Sequence, residues 1–245
     1  MAVSFRVVTY NIHKGRGVDG RLNVRRIARI LEDLDADIVA LQEVVAHEES
    51  RPERHQPRYL SEELGYHYAI GETRKHRGGI YGNVTLSKRP FELSKHFDLS
   101  VGGREQRGML RTDVPLEGEL LHVFNVHLGT GYLERCHQAR RLLTDQSIAH
   151  PELKGPRVVL GDFNEWIAGP VSRTLRAEFC RADVLAKTVR QRGYPGFLPV
   201  LDLDHVYCDR HMKVKDAFFH RNGLTLVASD HLPLVVDLEI TRESS

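Results

Sequence analysis

The chain is poor in cysteine, in charge of one sign and in long apolar runs, and each shortage excludes a class of protein. Its three cysteines, Cys136, Cys180 and Cys208, are isolated from one another and odd in number, so a disulfide framework is not expected. No Cys-x-x-Cys or Cys/His pair has zinc-site spacing. No run of about 18 apolar residues occurs, so no membrane-spanning helix is expected. The segment Met1–Val8 lacks the basic stretch and apolar core of a signal peptide, which makes the cytoplasm the expected location. Net charge is +2, from 35 basic and 33 acidic residues. So slight an excess neither argues for a nucleic-acid partner nor excludes one. Without repeats, low-complexity tracts or linkers, the 245 residues, 41% hydrophobic and 28% charged, are expected to form one globular domain over residues 1–245.

What is there reads as alternating strands and helices. Residues 5–10 suit a buried strand, and residues 23–34 place Val24, Ile27, Ala28, Leu31 and Leu34 at helical spacing behind Asn23 as N-cap. Residues 37–43 suit a second strand. Strand, helix, strand points to an α/β layered fold. Residues 46–58 show no period and read as a loop, either a solvated connection or a substrate-facing one. Short β-rich runs follow at 66–71, 80–88, 91–98, 109–114 and 119–128, with turn clusters that suggest antiparallel pairing. Residues 132–149 read as a helix with Tyr132, Cys136, Ala139 and Leu143 on one face. A strand at 157–160, a helix near 170–179 entered through Pro170, a Gly/Pro loop at 193–199, and strands at 203–208, 214–219 and 233–240 complete the pattern.

Short polar motifs end or closely follow these strands, and a sheet would deliver them to one edge. Glu43 follows a buried strand, where a carboxylate is costly unless it emerges at an edge or meets a cation. With Asn11 it could hold Mg²⁺, water filling the remaining positions, although Gln-Glu after a strand also describes a surface carboxylate. Gly161-Asp162-Phe163-Asn164 presents Asp162, to orient water or bind metal, and Asn164, to donate to developing charge; an Asx turn uses the same residues. His231 is the general-base candidate because imidazole titrates near working pH, and Asp204 could orient it. His127 could donate to a leaving or non-bridging oxygen. Arg107 can grip phosphate with two bonds, or be a solvated loop arginine. Asn83 could contact substrate or simply form a turn, and His13-Lys14 could face the pocket.

In chain order, Tyr10-Asn11-Ile12, Leu41-Gln42-Glu43, Gly82-Asn83, Gln106-Arg107-Gly108, Asn125-Val126-His127-Leu128, Gly161-Asp162-Phe163-Asn164, Leu203-Asp204-His205-Val206 and Ser229-Asp230-His231 resemble the endonuclease/exonuclease/phosphatase superfamily, over residues 5 to 240. The chain looks most like its compact bacterial stand-alone members. The resemblance implies a four-layer α/β sandwich like that of deoxyribonuclease I, two packed mixed β-sheets flanked by helices. It also implies phosphodiester hydrolysis by in-line water attack, dependent on Mg²⁺, with Mn²⁺ as the alternative cation. On it, Glu43 is the main metal ligand with Asn11 and Asp230 nearby. Asp162 and Asn164 orient the nucleophile and stabilise the transition state, His231 is the base paired with Asp204, and His127 is a second catalytic histidine. Arg107 and Asn83 fall at substrate contacts.

A monomeric nuclease is the first expectation. The absence of an aromatic and basic strand-binding platform keeps a phospholipid-headgroup or small-molecule phosphodiesterase as the alternative. A non-catalytic binding module on the same fold is the third.

Overall fold

The structure, a computed structural model, describes residues 2–48, 51–144, 147–182 and 192–241. Two six-stranded mixed sheets pack face to face. The first is built from β1 (Ala2–Asn11), β2 (Ile38–Ala46), β3 (His67–His76), β4 (Gly79–Ser87), β11 (Met212–Phe219) and β12 (Leu234–Thr241), in the order β11-β12-β1-β2-β4-β3. The second contains β5 (Leu93–Asp98), β6 (Gly108–Leu116), β7 (Glu119–His127), β8 (Arg157–Asp162), β9 (Phe179–Arg181) and β10 (Asp204–Asp209), in the order β5-β6-β7-β8-β10-β9. Each sheet has one parallel pair at its centre, β1 with β2 and β7 with β8. Each pair is joined by a crossover carrying a helix, α1 (Val24–Leu34) in the first and α3 (Tyr132–Leu142) in the second. All other pairings are antiparallel.

Side chains alternate across a strand, and here one alternation builds both the core and the candidate site. Val3, Phe5, Val7, Ile38 and Ala40 point between the sheets, against Leu121, Val123, Val158, Leu160 and Val206. Their neighbours Val8, Tyr10, Val39 and Leu41 point outward and are covered by Val24, Ile27 and Leu31 of α1, with Tyr59 and Leu60 of α2 (Gln56–Leu64). On the far side, Phe124, Val126, Val159 and Tyr207 are covered by Ala139 and Leu142 of α3 and by Val171 and Leu175 of α4 (Pro170–Leu175). The result is the expected helix–sheet–sheet–helix order. Followed toward the carboxyl ends of β1, β2, β7 and β8, the inward positions change from Val, Ile and Leu to Asn11, Gln42, Asn125, His127 and Asp162.

Several expectations need correction. The loop expected over 46–58, which includes residues 49–50 outside the described ones, gives way to a 3₁₀ turn at Pro52–Arg54 and to α2 from Gln56. The start of α2 is capped by the His55 ring, whose Nδ1 accepts from Arg58 N at 3.2 Å, an unusual cap that no Ser, Thr, Asp or Asn announces. Asn23 stands at the N-cap of α1, but its side chain makes no capping bond. α3 stops at Leu142, short of 149, and residues 145–146 lie outside the described set. Its buried face is Arg135, Gln138, Ala139 and Leu142, while Tyr132 is exposed. Polar groups on that face satisfy the loop before the helix: Gln138 Oε1 accepts from Gly129 N, and Arg135 Nη1 donates to the carbonyls of Gly129 and Thr130. α4 stops at Leu175, and the chain enters β9 four residues later with Phe179 buried. Cys180 and Cys208, isolated in sequence, face each other across β9 and β10 as free thiols.

Candidate active site

The carboxyl ends of both parallel pairs meet along one edge of the sandwich. Asp162, at the end of β8, is 2% exposed and joins the two sheets there. Its Oδ2 accepts from Asn11 Nδ2 at 3.0 Å and lies 3.6 Å from His127 Nε2 and 3.9 Å from His231 Nε2. Its Oδ1 accepts from Asn164 N at 3.0 Å. Gly161 makes this approach feasible. Its φ is +149°, and a Cβ there would lie 1.9 Å from the Val126 carbonyl oxygen.

Glu43 reaches the same point by a backbone irregularity. The β2–β4 register shifts between Leu41 and Val44, and Glu43 sits inside that bulge with φ +56°. A non-glycine residue held in the left-handed region costs of order 1–3 kcal/mol, and bulges re-aim side chains beside functional sites. Glu43 Oε2 accepts from Lys14 Nζ at 2.5 Å, and Oε1 lies 3.4 Å from Asn11 Nδ2. Burial pushes the Glu43 carboxyl up, but nearby cations outweigh it and hold the pKa at about 2. Burial and the guanidinium of Arg107 push His127 down to about 3, so that ring is neutral at neutral pH and Lys14 is the cation that keeps Glu43 ionised.

His231 is held from two sides. Its Nδ1 is 2.7 Å from Asp204 Oδ2, and the Tyr194 ring packs against it with centroids 4.8 Å apart. Burial disfavours charge on this imidazole, yet Asp204, Asp162 and Asp230 outweigh it and raise its pKa to about 10. Asp204 is fully buried, which pushes its own carboxyl up, and its Oδ1 has no hydrogen-bond partner among the described residues. Nε2 is left as the working edge, pointing toward Asp162.

The other expected residues lie near, on varied terms. Asn164 has φ +51° and spends one amide hydrogen on Leu128 O at 2.9 Å, leaving the second for a ligand. Asp230 is partly exposed, with its Oδ1 3.7 Å from His13 Nδ1 and 3.3 Å from Ser229 Oγ. Arg107 is buried, with Nη1 2.8 Å from His127 Nε2 and Nη2 2.9 Å from Glu105 Oε2. The substrate contact expected of Asn83 loses its donor: its amide nitrogen gives to the carbonyls of Gly108 and Asn125, tying the sheets together. Gln42 and Asn125 serve the same seam. Asn125 Nδ2 donates to Leu41 O and Val84 O, and its Oδ1 accepts from Gln42 Nε2 at 2.9 Å.

Sequence reasoning missed Tyr194 and Gln56, and took Ser229 only as part of the Ser229-Asp230-His231 motif. Gln56 Oε1 accepts from Val45 N and its Nε2 donates to Lys14 O, bracing both flanks of Glu43. Ser229 Oγ donates to Asn11 O at 2.7 Å. No spacing signals Tyr194 or Gln56, because their partners His231 and Lys14 lie far away in sequence.

Among the described residues no three His, Cys, Asp or Glu side chains converge into a ready-made metal cage. One buried carboxylate with an amide beside it still fits a hard cation that keeps most of its water. The ammonium of Lys14 lies against the Glu43 carboxylate.

Residues 8–231 match the model of the Endonuclease/Exonuclease/phosphatase family. The uncharacterized protein YbhP of Escherichia coli K12 is 31% identical over 251 residues, which cover 97% of each chain. An endonuclease/exonuclease/phosphatase from Bacteroides vulgatus superposes with a TM-score of 0.81 at 22% identity, over 97% of this chain and 99% of that one. A mannosyl-6-phosphatase of Bacteroides thetaiotaomicron superposes with a TM-score of 0.76 at 18% identity, over 96% and 99%.

Proposed function

Because the chain belongs to the endonuclease/exonuclease/phosphatase family, whose members hydrolyse phosphoester bonds, we propose that it is a divalent-metal-dependent phosphodiesterase acting by in-line attack of water on phosphorus. The observation that carries this reading is the arrangement around Asp162, with His231 Nε2, His127 Nε2 and Asn11 Nδ2 converging on one carboxylate oxygen. Glu43 and Asn11 would hold Mg²⁺ or Mn²⁺, with Asp230 at the margin. When bound, the cation would neutralise phosphate oxygens and offset the carboxylate field that keeps a proton on His231.

The chain's own groups do the rest. Asp162 accepts a hydrogen from the attacking water and fixes its direction. His231 Nε2 takes the proton, while Asp204 holds the ring by Nδ1 and stabilises the imidazolium that forms. The free amide hydrogen of Asn164 and the guanidinium of Arg107 face charge growing on the non-bridging oxygens. As the bond from phosphorus to the leaving oxygen breaks, His127, neutral beside Arg107, would donate a hydrogen bond to that oxygen, which departs as the alcohol after taking a proton from solvent.

Two substrate classes remain. The second histidine, His127, favours nucleic acid. The exposed apolar side chains on the catalytic edge, Trp166 and Ile167 among them, favour a phospholipid diester. Supercoiled plasmid and phosphatidylcholine vesicles, each incubated with the protein and Mg²⁺ beside His231→Ala and a chelator control, test the proposal. Cleavage of either substrate that both controls abolish supports it; cleavage that survives His231→Ala refutes it.

A further inference from the structure

Large exposed apolar side chains are unevenly distributed over this molecule. Tyr132 and Leu133 open α3, Trp166 and Ile167 follow Asn164, and Phe197 and Leu198 precede Asp204. These six are between 54% and 73% exposed. β7 and β8 are parallel and β10 runs against β8, so the segments after His127, after Asp162 and before Asp204 all leave the catalytic edge. They are tied to each other and to the site. Asn164 Nδ2 donates to Leu128 O, Arg135 Nε lies 3.4 Å from Glu165 Oε1, Phe163 N donates to Leu203 O, and Gly196 N donates to Asp230 O.

Val200 lies on the third of these segments, and Val18 and Leu22 lie on the loop that follows Asn11. Among the described residues only Leu93 is a large exposed hydrophobic at the opposite end, paired with Asp113. Single apolar residues scattered over a surface need no explanation, but a set confined to the rim of a candidate active site does.

The same edge carries cations on both flanks. Lys14, Arg16, Arg54 and Arg77 line a cleft of about 410 Å³ whose lining holds one carboxylate, Glu53. Burial lowers the pKa of His76 in its wall, and so do Arg74, Arg77, His47 and Lys14, which marks a positive local field. On the other flank, Arg192 and Arg221 line a cleft of about 660 Å³ that reaches Leu232, next to His231.

Apolar tips between cationic clefts match an anionic phospholipid surface. Trp and Tyr rings settle at the headgroup level, aliphatic tips enter the acyl boundary, and Lys and Arg meet lipid phosphates. A nucleic-acid strand would use cations and stacked aromatics, and would gain nothing from solvent-facing Leu133, Ile167 and Leu198.

We propose that the catalytic edge docks on anionic phospholipid membranes through the loops bearing Tyr132, Trp166 and Phe197, and that the site hydrolyses a lipid phosphodiester there. The second half rests on the phosphodiesterase reading above; the docking half does not.

Trp166 is the only tryptophan of the chain, so intrinsic emission reports on one of the three loops directly. The full chain is titrated, without metal, with vesicles of phosphatidylcholine containing phosphatidylglycerol, following Trp166 emission and co-sedimentation. The expected result is a blue shift together with sedimentation. The double variant Ile167→Ser/Leu198→Ser, with its melting temperature retained, should partition at least about tenfold more weakly, since each side chain loses its burial in the bilayer. Emission that does not move, or a double variant that binds like the wild type, overturns the docking.

Turnover of bis(p-nitrophenyl) phosphate with Mg²⁺ on the same preparation separates the two failures. Soluble turnover without vesicle binding removes the docking alone. Vesicle binding with neither soluble nor lipid diester cleaved removes the hydrolase reading and leaves the docking standing.

Discussion

Lys14 Nζ lies 2.5 Å from Glu43 Oε2, so the carboxylate proposed to hold a dication has a cationic side chain against it. A dication held by Glu43 would compete with that ammonium. Lys14→Met should therefore tighten Mn²⁺ binding several-fold, and Glu43→Gln should weaken it by about tenfold or more. Calorimetric titration of both variants checks the opposite signs; equal affinities across the set would place the metal elsewhere.

His231 and Asp204 form the pair on which turnover should depend most. His231→Ala is expected to lower the hydrolysis rate by about 10²–10⁴-fold, the usual worth of a positioned base. The fold should survive, because the buried Asp204 carboxyl can take up a proton once its partner is gone. Circular dichroism and the thermal midpoint, measured beside the rate, separate lost chemistry from lost structure.

Much of this arrangement was legible in the sequence, for a physical reason. Strands buried on both faces read as near-continuous apolar runs, and the inward positions of β7, Leu121, Val123, Asn125 and His127, pass from core to site. α2 was not legible, because a histidine caps it and few apolar residues mark its face. The buried face of α3 was misread, since Arg135 and Gln138 occupy it to satisfy a loop. The aim of Glu43 depends on a bulge, and the bonds of the Asn83 amide nitrogen to two carbonyls of the other sheet have no signal in the sequence.

The polar seam between the sheets should behave as structure. Asn125→Leu strands the carbonyls of Leu41 and Val84 in a dry interior, while the Gln42 amide keeps Thr9 Oγ1 and the Ala40 carbonyl as partners. A cost of about 2–6 kcal/mol is expected, from roughly 1–3 kcal/mol for each of the two buried carbonyls left unpaired. Urea unfolding measures it, and a loss under about 0.5 kcal/mol would contradict the assignment.

Stability at low pH should depend on Asp113. Burial pushes this carboxyl up, but His122 and the fork of Arg111 outweigh it and hold its pKa below the ordinary value. A depressed folded-state pKa contributes stability that is present above the unfolded value of about 4 and disappears as pH falls through the folded value. Asp113→Asn should therefore be less stable than wild type at pH 6, with the gap closing as pH falls below about 4. Unfolding free energies across that range check the sign.

The most direct test of the central claim is hydrolysis of bis(p-nitrophenyl) phosphate by purified wild-type protein with Mg²⁺, repeated with a chelator and with His231→Ala. The account predicts release of p-nitrophenol by the wild type alone, at least about a hundredfold above either control. Release at the wild-type rate from folded His231→Ala, or in the presence of chelator, would contradict it.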